Sequence, residues 1–183
     1  YKLIYDVNRG LFQLYNLQRD PRENINLVDD DLQLANHMRE RLLSWVDASS
    51  LPTNRSDDLI AQNRLPGPPA HIQYPMRVRF GDIVELLGAD VITPRVRRNE
   101  VLRVVFYYHV LRPTNEPYFL RVNFNAQDGG GSNWYFHAPH YPIFGRYNTT
   151  RWLPGEYIRD EVPLRVEAEV RPTIYDIGLK VEA

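Results

Sequence analysis

Short segments with the periodicity of β-strands, separated by glycine, proline and asparagine, fill the sequence from residue 77 to residue 181. In Tyr118–Asn125, every second residue is apolar and most of the residues between them are polar, which is typical of a strand buried on one side. The other candidate strands are Arg77–Phe80, Ile83–Leu87, Val101–Leu111, Trp134–His137, Ile158–Val166 and Ile174–Val181. Because no helical pattern separates them, they predict an antiparallel β-sandwich. Val101–Leu111 is largely apolar on both faces, which indicates a central strand.

The first 46 residues predict a small α+β piece. Tyr1–Tyr5 and Leu11–Tyr15 flank a segment with Asn8 and Gly10, which favours a β-hairpin. Asp29–Asp31 then favour the start of a helix. The apolar face of this helix comprises Leu32, Ala35, Met38, Leu42, Trp45 and Val46. A hairpin and one helix cannot bury such a face alone, so we expect it to be exposed unless the sandwich covers it.

Between these parts, residues 47–73 contain four prolines and no clear periodicity. They predict a Pro-rich linker, with a short helical turn near Asp57–Asn63. The predicted domains are therefore 1–46 for the hairpin and helix, 47–73 for the linker, and 74–183 for the β-sandwich.

The segment from residue 11 to residue 27 also carries a recognisable pattern, formed by Leu14, Tyr15, Leu17, Asp20, Pro21, Glu23, Asn26 and Leu27. It resembles the carboxy-terminal signature of the sulfatases of the alkaline-phosphatase superfamily, which precedes their closing helix. The chain departs from the family pattern at Gln13, where an acidic residue is usual, and at Asn16, where aspartate is common. The resemblance covers residues 1–46 and implies the carboxy-terminal subdomain of a sulfatase.

The resemblance also implies a catalytic domain that these residues do not contain. Sulfatases convert a Cys or Ser in a C/S-x-P-x-R motif to formylglycine and bind calcium through Asp and Asn side chains. This sequence has no cysteine and no such motif. We therefore expect the chain itself to be inactive and without a cofactor, with formylglycine and calcium belonging to the missing amino-terminal catalytic domain, its expected partner. The chain does not begin with Met, and we interpret it as part of a longer protein.

The second part resembles a bacterial, jelly-roll-like β-sandwich module that is attached to larger envelope enzymes and membrane proteins. The matching residues are Phe80–Asp82, Leu86–Gly88, Tyr141–Pro142, Arg151–Glu156 and Asp160. This resemblance implies targeting, capping or glycan contact, and both resemblances imply an extracytoplasmic location.

Aromatic residues concentrated in the last third suggest a glycan-binding surface, since sugar rings stack on exposed aromatic side chains. The candidate residues, which include polar partners for sugar hydroxyls, are Trp134, Tyr135, Tyr141, Arg121 and Asn123. Core packing explains the same aromatic content, and Trp152, followed at once by Pro154 and Gly155, is the expected structural anchor.

Other motifs favour structural explanations. Pro139 between His137 and His140 indicates a surface loop with two histidines rather than a metal site. Asp128–Asn133 is interpreted as a hairpin tip, with a calcium site at Asp128 and Asn133 as the alternative. The arginines at 95, 97, 98 and 103 indicate a solvated edge or a contact with an acidic glycan.

The net charge of −1 and the pI of about 6.6 disfavour nucleic acid as a partner, and no apolar segment is long enough to span a membrane. The resulting hypothesis is a non-catalytic accessory region of a sulfatase, with sulfated or other glycan as a possible ligand. The alternative is a stand-alone carbohydrate-binding or protein-interaction module.

Overall fold

The computed structural model describes residues 1–6, 11–49, 55–128 and 135–182. The chain begins with the antiparallel strands β1 (Lys2–Asp6) and β2 (Leu11–Tyr15), which pair Lys2 with Tyr15 and Asp6 with Leu11. This confirms the predicted hairpin, whose turn lies outside the described residues. The helix α1 (Leu32–Ser49) follows, and Asp31 caps it by accepting a hydrogen bond from the Leu34 amide. We call residues 1–49 the hairpin–helix unit.

The rest of the described chain is mainly β. After the helix α2 (Ser56–Asn63), the strands are β3 (Arg64–Leu65), β4 (Tyr74–Phe80), β5 (Val84–Val91), β6 (Val101–Val110), β7 (Phe119–Ala126), β8 (Tyr135–His140), β9 (Tyr157–Arg165) and β10 (Tyr175–Glu182). They form an antiparallel five-stranded sheet of order β3-β9-β6-β5-β4 and a three-stranded sheet of order β10-β7-β8. The predicted β-sandwich preceded by a small α+β piece is confirmed, and β6 occupies the central position predicted for it.

The connections explain why the sandwich is jelly-roll-like. The chain passes from β6 to the hairpin β7–β8 in the small sheet, and then returns as β9 beside β6 in the large sheet. The strands β6–β9 are thus a long hairpin folded across both sheets.

The main core lies between these two sheets. On β7, Leu120, Val122 and Phe124 are buried, as the alternation in the sequence predicts. Tyr108 and Ile158 face them from the large sheet and are fully buried. Trp152 is also buried in this core, which confirms its role as a structural anchor.

Part of the segment predicted as a linker packs on the sandwich. In α2, Ile60 is buried in the main core, and β3 pairs with β9 through Arg64 and Leu65. The Arg159 guanidinium also donates to the Asn63 side chain over 3.2 Å. Residues 56–65 therefore extend the sandwich, while the predicted division into domains stays a prediction.

The surface loop predicted around His137 and His140 is wrong, because both residues lie in β8. Proline removes a backbone donor from a sheet, but β8 is an edge strand and tolerates Pro139 there. His140 is fully buried. Among the described residues, no helix is both long and apolar enough to cross a membrane.

Candidate functional site

Residues of the pattern between positions 11 and 27 build the hairpin–helix unit through local hydrogen bonds. The Asn26 side-chain oxygen accepts from the Leu14 amide at 2.9 Å and from the Val28 amide at 3.2 Å. The Leu27 amide donates to the Leu14 carbonyl at 2.7 Å. Asn26 and Leu27 thereby hold the chain against the free edge of β2, opposite β1.

The turn before Asn26 is stabilised in the same way. The Asn16 side chain accepts hydrogen bonds from the Gln18 and Arg19 amides, and Asp20 accepts one from the Ile25 amide at 2.8 Å. Glu23, whose φ is 58°, pairs with Lys2 on β1 at 2.8 Å. These side chains therefore serve the local fold.

A small second core joins the hairpin–helix unit to the sandwich. Phe12, Leu14, Val28 and Ala35 are buried together with Tyr141, which follows β8. The buried Arg39 guanidinium lies 5.2 Å from the Phe12 ring centre and 4.5 Å from that of Tyr141, a geometry in which cation–π attraction adds to packing.

This core covers only part of the apolar face of α1. Met38 and Leu42 are half-buried against it, while Leu32 and Trp45 remain 39% and 66% exposed. The expectation of an exposed face therefore holds for Leu32 and Trp45, whereas the second core partly covers Met38 and Leu42.

Arg146 lies at the centre of the polar contact between the hairpin–helix unit and the sandwich. It is 4% exposed, and its Nη1 lies 2.6 Å from Asp47 Oδ1 and 3.0 Å from Ser56 Oγ. Its Nε donates to the Tyr5 hydroxyl over 3.2 Å. We call the set Tyr5, Asp47, Ser56 and Arg146 the junction, because it links β1, α1, α2 and the sandwich.

Tyr5 strengthens the junction with a second contact. Its hydroxyl donates to the Phe144 carbonyl at 2.5 Å. Burial raises the pKa of Tyr5, against the lowering effect of the Arg146 charge, so the phenol stays protonated and able to donate at neutral pH.

The loop that carries Arg146 is fixed by a buried pair. His140 Nε2 lies 2.9 and 3.0 Å from the two Asp160 carboxylate oxygens, and the Ile143 amide donates to the same carboxylate at 2.8 Å. Ile143 and Phe144 have φ values of 51° and 57°, a conformation that needs support from its surroundings. Asp160 therefore supports the start of the loop that carries Arg146.

The structure does not gather the predicted glycan-binding residues into one described site. Tyr141 is 7% exposed in the second core. Arg121, on β7, is half-buried and paired with Glu182 at 2.7 Å, while Asn123 lies two residues further along the same strand. Tyr135 begins β8, and Trp134 lies outside the described residues.

The remaining candidates also have structural partners. Asp128 pairs with Arg171 and accepts a hydrogen bond from Thr173, whereas Asn133 lies outside the described residues. Arg103 pairs with Glu161 at 2.6 Å on the exposed side of the large sheet. Within the described ranges, no group of three or more His, Asp or Glu side chains has an arrangement that could hold a metal ion.

Comparison with family models, with curated proteins and with solved structures gives no match.

Proposed function

We propose that this chain is the non-catalytic carboxy-terminal accessory region of a sulfatase, with the hairpin–helix unit closing the catalytic domain and the sandwich attached rigidly behind it. The observation that carries the proposal is that the residues resembling the sulfatase signature make local structural contacts. Asn26 and Asp20 bond to nearby backbone amides, and Glu23 bonds to Lys2. These side chains therefore have a structural role, which is also the role of this signature in the family it resembles.

The exposed apolar side chains of α1 provide a surface that the proposed catalytic domain would contact. Trp45 and Leu32 are large apolar side chains on the helix that would close the catalytic domain. In the proposed parent protein, that domain would cover them, since large exposed apolar side chains on one element favour burial against a partner.

The parent would hydrolyse sulfate esters with formylglycine and calcium held by residues outside this chain. The sandwich would cap the catalytic domain or position it on a glycan of the cell envelope. We also propose an extracytoplasmic location for the protein.

The test is to determine the coding sequence that precedes residue 1 and to express the whole reading frame. We expect a C/S-x-P-x-R motif, hydrolysis of 4-nitrophenyl sulfate by the whole protein, and no hydrolysis by residues 1–183 alone. Trp45→Ser should lower the melting temperature of the whole protein and leave that of the isolated chain nearly unchanged. A reading frame without the motif, or a whole protein that is equally stable with Trp45→Ser, would contradict the proposal.

One observation favours the alternative of a protein-interaction module. The edge strand β4 exposes Tyr74, Met76 and Val78 by 50%, 39% and 43%, and β5 is its one neighbour in the described sheet. An exposed apolar edge strand is able to pair with another chain. Concentration-dependent sedimentation that disappears with Val78→Lys would support this alternative, and a monomer at all concentrations would argue against self-association through β4.

A further inference from the structure

The small sheet leaves one strand of the large sheet uncovered. Three strands face five across the sandwich. On one side β8 lies across from β9, since His140 Nε2 is 2.9 Å from Asp160 Oδ1. On the other side, Val181 of β10 and Val84 of β5 line the same space between the sheets. The strand orders therefore place β7 across from β6 and β10 across from β5, so that β4 projects one strand beyond β10.

The projecting strand β4 exposes the inner face of the large sheet. Val78 pairs with Leu86 and Tyr74 pairs with Ala89, and both partners are buried in the main core. Directly paired residues lie on the same face of a sheet, so Val78 and Tyr74 face the layer of the small sheet. They are nevertheless 43% and 50% exposed. Within the described residues, no strand covers them.

The adjacent edge of β10 is regular. This strand pairs with β7 at every residue from Tyr175 to Glu182, without a bulge or a proline. Ile177, Leu179 and Val181 pack against the main core and are half-buried. β7 is the one neighbour of β10 in the described sheet, so its other edge carries backbone groups that no described strand pairs. Such an edge is a template for the addition of a strand.

The free edge of β10 and the inner face of β4 together form a groove one strand wide. We call it the open groove and define it by residues 175–182 of β10 with Tyr74 and Val78 of β4. A strand added to β10 would give the small sheet a fourth strand and would cover β4. Because every second side chain of that strand would face Tyr74 and Val78, its inner side should be apolar.

The charges at the open groove favour an acidic residue on the outer side of such a strand. Lys180 of β10 and Arg77 of β4 are exposed, and neither has an ion-pair partner among the described residues. The acidic side chains of β10 are engaged, since Asp176 accepts a side-chain hydrogen bond and Glu182 pairs with Arg121. Opposite charges at directly opposed positions stabilise a strand pair, and like charges destabilise it. The position opposite Lys180 therefore suits a carboxylate.

A second copy of the chain fits the open groove poorly. Two β10 edges cannot meet, because β4 of each copy projects beyond β10. A copy would therefore have to insert β4, in which Pro75 lacks an amide hydrogen and the register shifts between Pro75 and Val78. The arginine side chains of β4 would also meet Lys180 of the other copy, which is a contact of like charges.

We propose that the open groove binds an extended segment of another protein. This segment adds to β10 as a fourth strand, with apolar side chains on its inner side and an acidic residue opposite Lys180. The proposal rests on the alternative function given above, a protein-interaction module, and specifies its partner. The groove belongs to the sandwich alone, so its test is separate from that of the sulfatase assignment.

The test titrates the full chain with a peptide of about nine residues, enough to span β10. Valine alternates with threonine in this peptide, and glutamate replaces the central threonine. Methylation of the backbone nitrogens along one edge leaves only the other edge able to pair, which also prevents self-association of the peptide. We expect NMR shifts at the amides of Gly178, Lys180 and Val78. The same peptide methylated at every backbone nitrogen should shift none of them.

Charge reversal tests the predicted orientation. The wild-type chain should bind the glutamate peptide about two- to fivefold more tightly than a peptide with lysine at the same position. Lys180→Glu should reverse this preference. Arg19→Glu is the matched control, because Arg19 is an exposed residue in the turn after β2 and its replacement changes the net charge equally. The control should keep the wild-type preference.

A further variant tests the inner side of the open groove. Val78→Thr keeps the size and branching of an exposed side chain, and it should weaken the binding of both peptides about twofold or more, because a hydroxyl would be buried against the added strand. Amide spectra without peptide establish that each variant is folded.

Three results would overturn the proposal. The first is the absence of shifts in β10 when the singly methylated peptide is added to the wild-type chain. The second is equally tight binding of the fully methylated peptide, or an unchanged preference in folded Lys180→Glu. The third comes from sedimentation without peptide, which should show a monomer, whereas a dimer formed through β10 or β4 would identify a second copy as the occupant.

Discussion

Arg146 Nη1 lies 2.6 Å from Asp47 Oδ1, and this ion pair joins the end of α1 to the loop that follows β8. The Arg146 side chain is 3% exposed and that of Asp47 is 31% exposed. The arginine therefore depends on its partners for the hydrogen bonds that water would otherwise supply.

Replacing Arg146 should destabilise the chain, because the hydrogen bonds between Arg146 and its buried partners would be lost. We expect Arg146→Met to lower the free energy of unfolding by about 2–4 kcal/mol, since it leaves Asp47 and Ser56 without their buried partner. Chemical denaturation measures the change. Arg112→Met is the matched control, because its ion pair with Asp82 is largely exposed on both sides and should contribute little. Equal effects of the two substitutions would contradict the structural role of the junction.

Asn26 should stabilise the hairpin through its side-chain oxygen. Asn26→Ala removes an acceptor shared by the Leu14 and Val28 amides, and we expect a loss of about 1–2 kcal/mol. Asn26→Asp keeps an acceptor and should retain most of the stability. Hydrogen exchange should show faster exchange at these two amides in Asn26→Ala. Unchanged protection there would show that the oxygen does not hold the edge of β2.

The buried tyrosines should make the fold sensitive to alkali. Burial, together with the hydrogen bond to Glu156, raises the pKa of Tyr147 from 10.0 to about 12. Because the folded chain retains this proton more strongly than the unfolded chain does, the resulting stability is complete below pH 10 and is lost as the pH rises through about 12. Stability measured across this interval should fall, and phenolate absorbance should show Tyr147 ionising late. Tyr147→Phe should make the fall with pH shallower.

Gly88 should tolerate no side chain. Its φ is 150°, and a Cβ atom there would lie 2.4 Å from the Tyr74 carbonyl oxygen and 2.6 Å from Ile72 Cγ2. Gly88→Ala would force β4 away from β5, and we expect a loss of about 2 kcal/mol or more.

Gly178→Ala is the matched control, since a Cβ atom on Gly178 would meet nothing within 4 Å. Thermal unfolding of both variants checks the prediction. A similar change in melting temperature for the two would show that β4 yields easily at this position.

The local patterns of the sequence were sufficient to predict most strands and α1. Leu120, Val122 and Phe124 are buried as their alternation indicates, because alternation directly reflects which face of a strand contacts the core. The turn that follows at Pro154 and Gly155 predicts Trp152 as an anchor, and Trp152 is buried in the main core. Alternation says nothing about which strands pair, so only the resemblance given in the sequence analysis predicts a jelly-roll-like order.

The long-range polar contacts could not be predicted from local patterns. Pro139 predicts a surface loop around His140, but Asp160 lies 20 residues away in the sequence and bonds to His140 in the core. Arg146 has the local sequence of an ordinary turn, and its partner Asp47 is 99 residues away.

The junction also determines how the sandwich is held relative to the hairpin–helix unit. When a binding module is joined through a flexible tether, the length of the tether sets the effective concentration of its ligand. Here Arg146 and Tyr5 fasten the sandwich to the hairpin–helix unit directly, so residues inserted between α1 and α2 would change its reach very little. Anything bound by the sandwich would be held at one fixed distance and orientation relative to the hairpin–helix unit.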